Sequence, residues 1–425
     1  MAGGLMQLVA YGAQDVYLTG NPKVTFFQAV YRRHTNFAME NIEQTVNGTA
    51  ADSGRVSVTI ARNGDLVADM YVEMESKVDT SLSTGGAVSN EWLAERALKD
   101  VELSIGGQRI DKHYQTWWRL YSELYLDASK KTTYGKMTTG IAATGANAVA
   151  GSRVYLPLIF FFNRNPGLAL PLIALQYHEV RLDFDLTAEL DEYITPSSFK
   201  VYSNYIYLDT EERRRFAQKG HEYLIEQVQH TGTDTLAAGS NQKRLSFNHP
   251  VKELVWCLAQ SNKVDNNMWN FTKNSTVQAS TNLTNSIDGT NTSLATLDFD
   301  AGNCPKLLAT ATSTAWDEDA CSNMTSMKLV LNGQDRFKEQ GSKYFNSVQP
   351  FNHHSGSPMP GVYSYSFALK PEEHQPTGTC NFSRIDNAQV AINAGAATNA
   401  TLNMFAVNYN VLRIQSGMGG LAFSN

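Results

Sequence analysis

The phrase "VELSIGGQRIDK" (Val101–Lys112) returns later in the chain as "MKLVLNGQDRFK" (Met327–Lys338). Each is a short alternating run that ends in Gly-Gln and a charged exit, so Gly107 and Gln108 stand as the counterparts of Gly333 and Gln334. Other echoes keep the same order. "NIEQTVNG" (Asn41–Gly48) is answered by "LIEQVQHTG" (Leu224–Gly232), and "RNGDLVADMYVEM" by "FNHPVKELVWCLA". "RVYLPLIFFFNRNPG" is answered by "GVYSYSFALKPEEHQPTG", and "YHEVRLDF" by "IDNAQVAI". The spacing between partners drifts, as loops of unequal length would make it do. One echo could be chance, but a series in order predicts two copies of one β-sandwich, too few for a solenoid. A length of 425 residues suits this, because all-β domains often run to about 200 residues each.

Within each copy the text is strand-like. "EVRLDFDL" puts Val180, Leu182, Phe184 and Leu186 on one face and Arg181, Asp183 and Asp185 on the other, which predicts a half-buried strand with the two aspartates on a solvated face. Runs rich in Val, Ile, Tyr and Phe are punctuated by "RNGD", "RNPG", "NHP" and "LNGQ". Helices are few. Trp117, Trp118, Tyr121, Leu124 and Tyr125 recur at helical spacing, and Asp209 with Glu212 three residues on marks a capped helix start. That second helix lies near the midpoint and reads as a connector between the halves. A long insertion rich in Asn, Ser, Thr and Ala separates "LVWCLAQ" from "MKLVLNGQ", and such loops on a rigid sandwich are surface devices.

Little in the text supports catalysis. There is no GxSxG, HExxH or Walker pattern. The paired Asp183 and Asp185 are better read as strand surface than as a glycosidase acid pair. Asp111–His113 and His353–His354 lack spaced partners for a metal. Cys257, Cys304, Cys321 and Cys380 form no CxxC pair, so reduced thiols are expected. Gly417–Gly420 reads as a flexible tail. Net charge is −6, which disfavours a nucleic-acid partner bound through phosphate neutralisation. Only 18% of residues are charged, against roughly 25% on average, so large uncharged surfaces suited to association are expected. The arginine–aromatic clusters at Tyr31–Phe37 and Glu212–Phe216 are read as interface material. The N-terminus lacks a basic and then apolar leader, and the longest apolar run is far too short to span a bilayer, so synthesis in the cytosol is expected.

Several long strings carry a resemblance: "AGGLMQLVAYGAQDVYLTGNPKVTFFQAVYRRHTNFAME", "IGGQRIDKHY", "LPLIFFFNRNPGLALPLIALQYHEV", "LNGQDRF", "GTCNFSRIDNA" and "NYNVLRIQSGMGGLA". From Ala2 to the C-terminus the chain resembles the major capsid proteins of nucleocytoplasmic large DNA viruses, nearest to the chlorella-virus type, with iridovirus proteins as more distant relatives. The resemblance weakens at Asp127–Ser152 and Ser261–Thr325. It implies an all-β double jelly roll, two eight-stranded sandwiches in tandem with a few short helices in loops. It also implies homotrimeric capsomers tiling an icosahedral shell over an internal membrane, assembled in the host cytoplasm, with minor capsid proteins beneath and Asn-linked glycans outside.

The expected layout is an N-terminal arm over residues 1–26, a first jelly roll over 27–210, a connector over 211–220 and a second jelly roll over 221–425. No cofactor or metal is expected, only covalent glycan. Of the sequons, Asn282, Asn291 and Asn399 are the candidate glycan sites, because "TNLT", "TNTS" and "TNAT" recur in low-charge loops; Asn47 and Asn381 lie in strand-like text and are expected bare. Against the capsid subunit stand a lower-copy capsid paralogue, a carbohydrate-binding sandwich on a viral surface, and an enzyme that would need a convergent acid pair.

Overall fold

The alternation of Val180, Leu182, Phe184 and Leu186 builds a strand whose four apolar side chains are all buried. The computed structural model describes residues 3–10, 12–19, 27, 31, 34–77, 92–138, 152–260, 269, 271, 322–395 and 400–423. Two units separate, Met1–Phe37 and Ala38–Asn425. The first carries helices Gly3–Val9 and Ala13–Thr19, with Leu5, Leu8, Val9 and Tyr17 exposed. This unit continues to Phe37, where the first strand starts, whereas the expected arm ended at residue 26.

The first half of the second unit is built on β1 (Phe37–Gln44), β2 (Arg55–Thr59), β3 (Leu66–Glu75), β4 (Leu98–Ile105), β5 (Gln108–Tyr114), β6 (Arg153–Pro157), β7 (Val180–Leu186) and β8 (Lys200–Leu208). The helix Thr210–Gln218 follows, capped by Asp209, whose Oδ1 accepts from Glu212 N at 2.9 Å. The second half is built on β9 (His221–Leu236), β10 (Gly239–Arg244), β11 (Pro250–Gln260), β12 (Met324–Leu331), β13 (Gln334–Asp335), β14 (Val362–Ser366), β15 (Ala388–Ala394) and β16 (Ala400–Gln415). The first half folds into two facing sheets, β1-β8-β3-β6 and β2-β7-β4-β5. The second half gives β9-β16-β11-β14 and β10-β15-β12-β13. Adding eight to each strand number of the first pair of sheets yields the second pair, so the echoes in the text are equivalent strands of two eight-stranded jelly rolls in tandem.

The core explains the pairing register of the copies. In β3 the inward side chains are Met70, Val72 and Met74. In β11 the side chains in the second sandwich's own core are Leu254, Trp256 and Leu258. Matching inward to inward moves the textual alignment of "DMYVEM" on "LVWCLA" by one residue, because a slip of one flips every side chain to the other face. The alignment is ambiguous in the text because β11 is buried on both faces. Val255, Cys257 and Ala259 on its outward face join the apolar cluster of the first sandwich. A strand covered on both sides reads as a continuous apolar run instead of an alternation.

Candidate functional site

Two features of this architecture bear on assembly: the seam between the sandwiches and the rim that carries the long loops. At the seam, edge strand β5 lies against β9. Asp111 Oδ1 accepts from Val228 N at 3.0 Å, and the Gln227 side chain donates to Ile110 O. Tyr114 and Trp117 from the first sandwich meet Phe405 and His230 from the second, with His230 stacked on Phe405 at 4.4 Å between ring centroids. Burial holds the His230 imidazole down to about 4, so it sits in the seam neutral.

Charged groups are also enclosed there. Glu226 on β9 meets Lys252 Nζ at 2.7 Å, Arg164 at 2.8 Å and His374 at 3.6 Å. Burial alone would push the Glu226 carboxyl up; Arg164, His374 and Lys252 outweigh it and hold it well below the usual carboxylate range. Burial pulls Lys252 down to about 8 in spite of Glu226. Beside them His354 lies 3.1 Å from Glu253 and 3.4 Å from Glu372. Burial opposes its charge, but the two carboxylates raise it to about 9. A cleft of ≈ 360 Å³ opens onto this group, lined by Tyr121, Arg164, Glu226, Glu372 and His374 among others, and these charges face one another.

Two further contacts lock the halves. The helix Gln115–Tyr125, which carries Trp117 and Trp118, touches the loop 355–359 of the second sandwich: Glu123 Oε2 accepts from Lys131 Nζ at 2.8 Å and from Met359 N at 3.2 Å, and Gly356 N donates to Leu124 O at 2.9 Å. A Cβ on Gly356 would overlap the carbonyl oxygens of Glu123 and Leu124, so the contact needs glycine. At the C-terminus, Met418–Leu421 is a strand paired with β16, reached through a Ser416–Gly417 turn. Leu421 N donates to Gln108 Oε1 at 3.2 Å, and His178 Nδ1 lies 2.8 Å from Gly419 O. The flexible tail expected at Gly417–Gly420 is therefore an ordered strand, and its glycines permit close approach to the first sandwich.

Gly107 and Gly333 occupy matching turns. Ile105 pairs with Gln108 across Gly106–Gly107, and Leu331 pairs with Gln334 across Asn332–Gly333. All four turn residues have positive φ, the pattern of the two-residue hairpin that twists with its strands. Their surroundings differ. Gln108 receives the C-terminal strand, while Gly333 has open space around it and Gln334 is exposed.

At the opposite end of the sandwiches lies the rim. The insertion leaves β11 at Gln260 and returns to β12 at Met324; the loop 395–399 leaves β15 after Ala394 and returns at Ala400. Gln260 pairs with Ala400, and Met324 pairs with Ala394, so both segments emerge side by side. Asn282, Asn291 and Asn399 lie outside the described residues. Asn47 and Asn381 are exposed on two-residue strands. Asn323, also a sequon, is buried and donates to Leu258 O and Phe271 O.

The remaining sequence candidates are separate from one another. Asp183 is buried, contrary to the solvated face expected for it, because Arg181 at 2.7 Å and Arg55 at 3.5 Å close over it; Arg55 also meets Asp185 at 3.6 Å. His113 pairs with Asp111 at 3.0 Å and stacks on Phe160. His353 contacts Leu369 O instead of joining His354. No group of three metal-ligating side chains occurs among the described residues. Cys257 is buried and Cys380 half-buried, and Cys304 and Cys321 lie outside the described residues. Of the basic clusters, Arg213 is bound to Asp65 at 3.0 Å and Phe216 packs against the cluster of Leu66, Ala68, Ala169 and Ile206; Arg32 and Arg33 lie outside the described residues. No described helix is long and apolar enough to cross a membrane. The text did contain a signal for the seam that reading by periodicity missed: Lys252 and Glu253 sit inside the apolar run "PVKELVWCLA".

Comparison with known proteins shows the family of both halves. A family described as "Major capsid protein N-terminus" matches residues 25–211, and "Large eukaryotic DNA virus major capsid protein" matches residues 212–420. The chain is 46% identical to the major capsid protein of Paramecium bursaria Chlorella virus 1 across all of both chains. It is 24% identical to that of Wiseana iridescent virus, covering 98% of this chain and 92% of that one. Its fold matches a chain of the quasi-atomic model of the PBCV-1 virus capsid with a TM-score of 0.77 and 40% identity, covering 94% of this chain and 100% of that chain. With family models matching both halves, and a relative of this identity matched from end to end, the chain belongs to the major capsid protein family of large eukaryotic DNA viruses.

Proposed function

We propose that three copies of this chain form a capsomer with a nearly hexagonal outline, a structural and non-enzymatic tile of an icosahedral shell. The observation that carries the reading is the doubled strand order, in which one chain supplies two similar wall modules side by side. Three chains then supply six around one axis, and a closed ring of this kind uses heterologous contacts throughout. The partners are further copies of the chain, neighbouring capsomers, and minor capsid proteins beneath the shell, with the internal membrane involved only indirectly and no direct nucleic-acid contact. The arm from Ala2 to about Pro22 faces the interior, a role supported by the exposed apolar side chains of its helices. The rim with the insertion and the loop 395–399 faces outward and carries glycan at Asn282, Asn291 and Asn399. No cofactor is needed. Native mass spectrometry of the purified protein tests the assembly: the expected mass is three times the 47.0 kDa of one chain, before glycans. A monomer persisting at micromolar concentration overturns the reading.

A further inference from the structure

The seam inside one chain is a template for a contact between chains. In the second sandwich the outward face of β16 and β11 is apolar: Val255, Cys257, Phe405 and Val407 are closed off against the first sandwich. Val255 and Phe405 are direct partners across the ladder. By the inward-to-inward match, the same position in the first sandwich is held by Tyr71 and Tyr202, also direct partners. Among the described residues that face is half-exposed. Tyr71 and Tyr202 stack at 5.3 Å, and carboxylates ring them: Tyr202 donates to Glu43, Asn204 donates to Asp69 at 2.6 Å, and Glu73 stands two residues beyond Tyr71 on the same face.

Inside the chain β5 runs along β9, next to this position, and Tyr114 at its end, with Trp117 just after it, meets Phe405. Three residues beyond its turn glycine Gly107 stands Ile110, buried in the seam. Three residues beyond Gly333 stands Arg336, and two further on Lys338, both exposed and without an ion-pair partner among the described residues. The two halves have therefore diverged in a correlated way. Where the internal contact sets Ile110 and Tyr114 beside an apolar sheet face, the counterpart edge carries Arg336 and Lys338 between Asp335 and Glu339, and the counterpart sheet face carries stacked tyrosines with Glu43, Asp69 and Glu73 beside them, Lys200 being 3.8 Å from Glu43. Guanidinium on tyrosine faces rimmed by carboxylate is a strong pairing of that kind.

Resting on the trimer reading above, we infer that Arg336 and Lys338 of one copy dock on the Tyr71–Tyr202 face of the next copy. The occupant is a second copy of this chain because, among the described residues, each chain presents the counterpart of the internal edge and the counterpart of the internal face, and the internal seam already shows such an edge seated beside such a face. Repeating the contact uses every edge and face and closes the ring.

Charge reversal tests the pairing. Arg336→Glu with Lys338→Glu, and separately Glu43→Lys with Glu73→Lys, are placed at surface positions, and circular dichroism and thermal melting of each monomer check that the fold is retained. Native mass spectrometry and sedimentation should show each double variant losing the trimer, with dissociation at concentrations about tenfold or more above wild type. The quadruple variant restores the charge pairing in all contacts and should regain the trimer. Unchanged trimer in either double variant, or loss without recovery in the quadruple variant, overturns the inference while the trimer of the wild type still stands. A monomeric wild type instead overturns the reading on which it rests.

Discussion

Lys252 Nζ and a Glu226 carboxylate oxygen lie 2.7 Å apart with both side chains withdrawn from solvent. The pair is asymmetric, because Glu226 is also held by Arg164 whereas Lys252 has no second carboxylate within 4.0 Å among the described ion pairs. Glu226→Ala strands two buried or half-buried cations, and Lys252→Met leaves Glu226 still paired. Glu226→Ala should therefore cost about 3–5 kcal/mol and Lys252→Met clearly less. Denaturant unfolding of the two variants checks the order; equal costs would contradict it.

Stability should peak near pH 6.5. His354 is raised to about 9 in the folded chain from an ordinary value near 6.5. Its contribution is complete below 6.5 and is lost as pH climbs to 9, by an amount on the order of 3 kcal/mol. Lys252, lowered to about 8, acts in the opposite sense from 8 to 10.5 and offsets part of the later decline. His230, lowered to about 4, favours folding above 6.5 and loses that contribution as pH falls toward 4. His354→Gln should flatten the alkaline limb and His230→Phe the acid limb. Melting temperatures from pH 4 to 9 would show it.

Phe405, on a strand of the second sandwich, belongs to the apolar cluster of the first and meets Trp117 and His230 at the seam. Phe405→Ala should cost about 3–5 kcal/mol, as other core Phe truncations do. Loosening the seam should also split one unfolding transition into two, visible as a fall in the denaturant slope with intrinsic fluorescence as the probe.

The matched turns should respond differently to the same residue. Asn332 holds its left-handed conformation in open surroundings, and Asn tolerates that conformation. Gly106, its counterpart, has φ +58 but faces the His178 ring, which a Cβ would overlap. Asn332→Gly should change the melting temperature little, whereas Gly106→Asn should displace His178 and cost about 1–3 kcal/mol. A neutral Gly106→Asn would show that the tail and turn are less tightly joined than the geometry states.

Much of the fold was legible because it rests on local rules. β7 alternates, the Asn332–Gly333 turn demands positive φ, and Asp209 caps a helix; each needs only neighbours in sequence. What escaped reading rests on neighbours in space. Asp183 looked solvated because its alternation is correct, yet Arg55 arrives from the adjacent strand to cover it. Gly417–Gly420 looked slack because glycine carries no pattern, yet the strand exists through its pairing with β16. The Glu226 cluster draws Arg164, Lys252 and His374 from three distant segments, and only Lys252 and Glu253, embedded in apolar text, hinted at it.

The rim fixes two pairs of posts, Gln260 beside Ala400 and Met324 beside Ala394. Neighbouring strands stand about 4.8 Å apart and facing sheets about 10 Å, so any chain leaving one post returns close by whatever its length. Closing such an excursion costs only about 0.6 kcal/mol for each doubling of its length. The sandwich is thus a socket for foreign sequence. A peptide inserted between Phe271 and Ser322 keeps the buried Trp269, Phe271 and Asn323 in place, leaves the strands β11 and β12 untouched, and would be displayed at the same rim position of every chain.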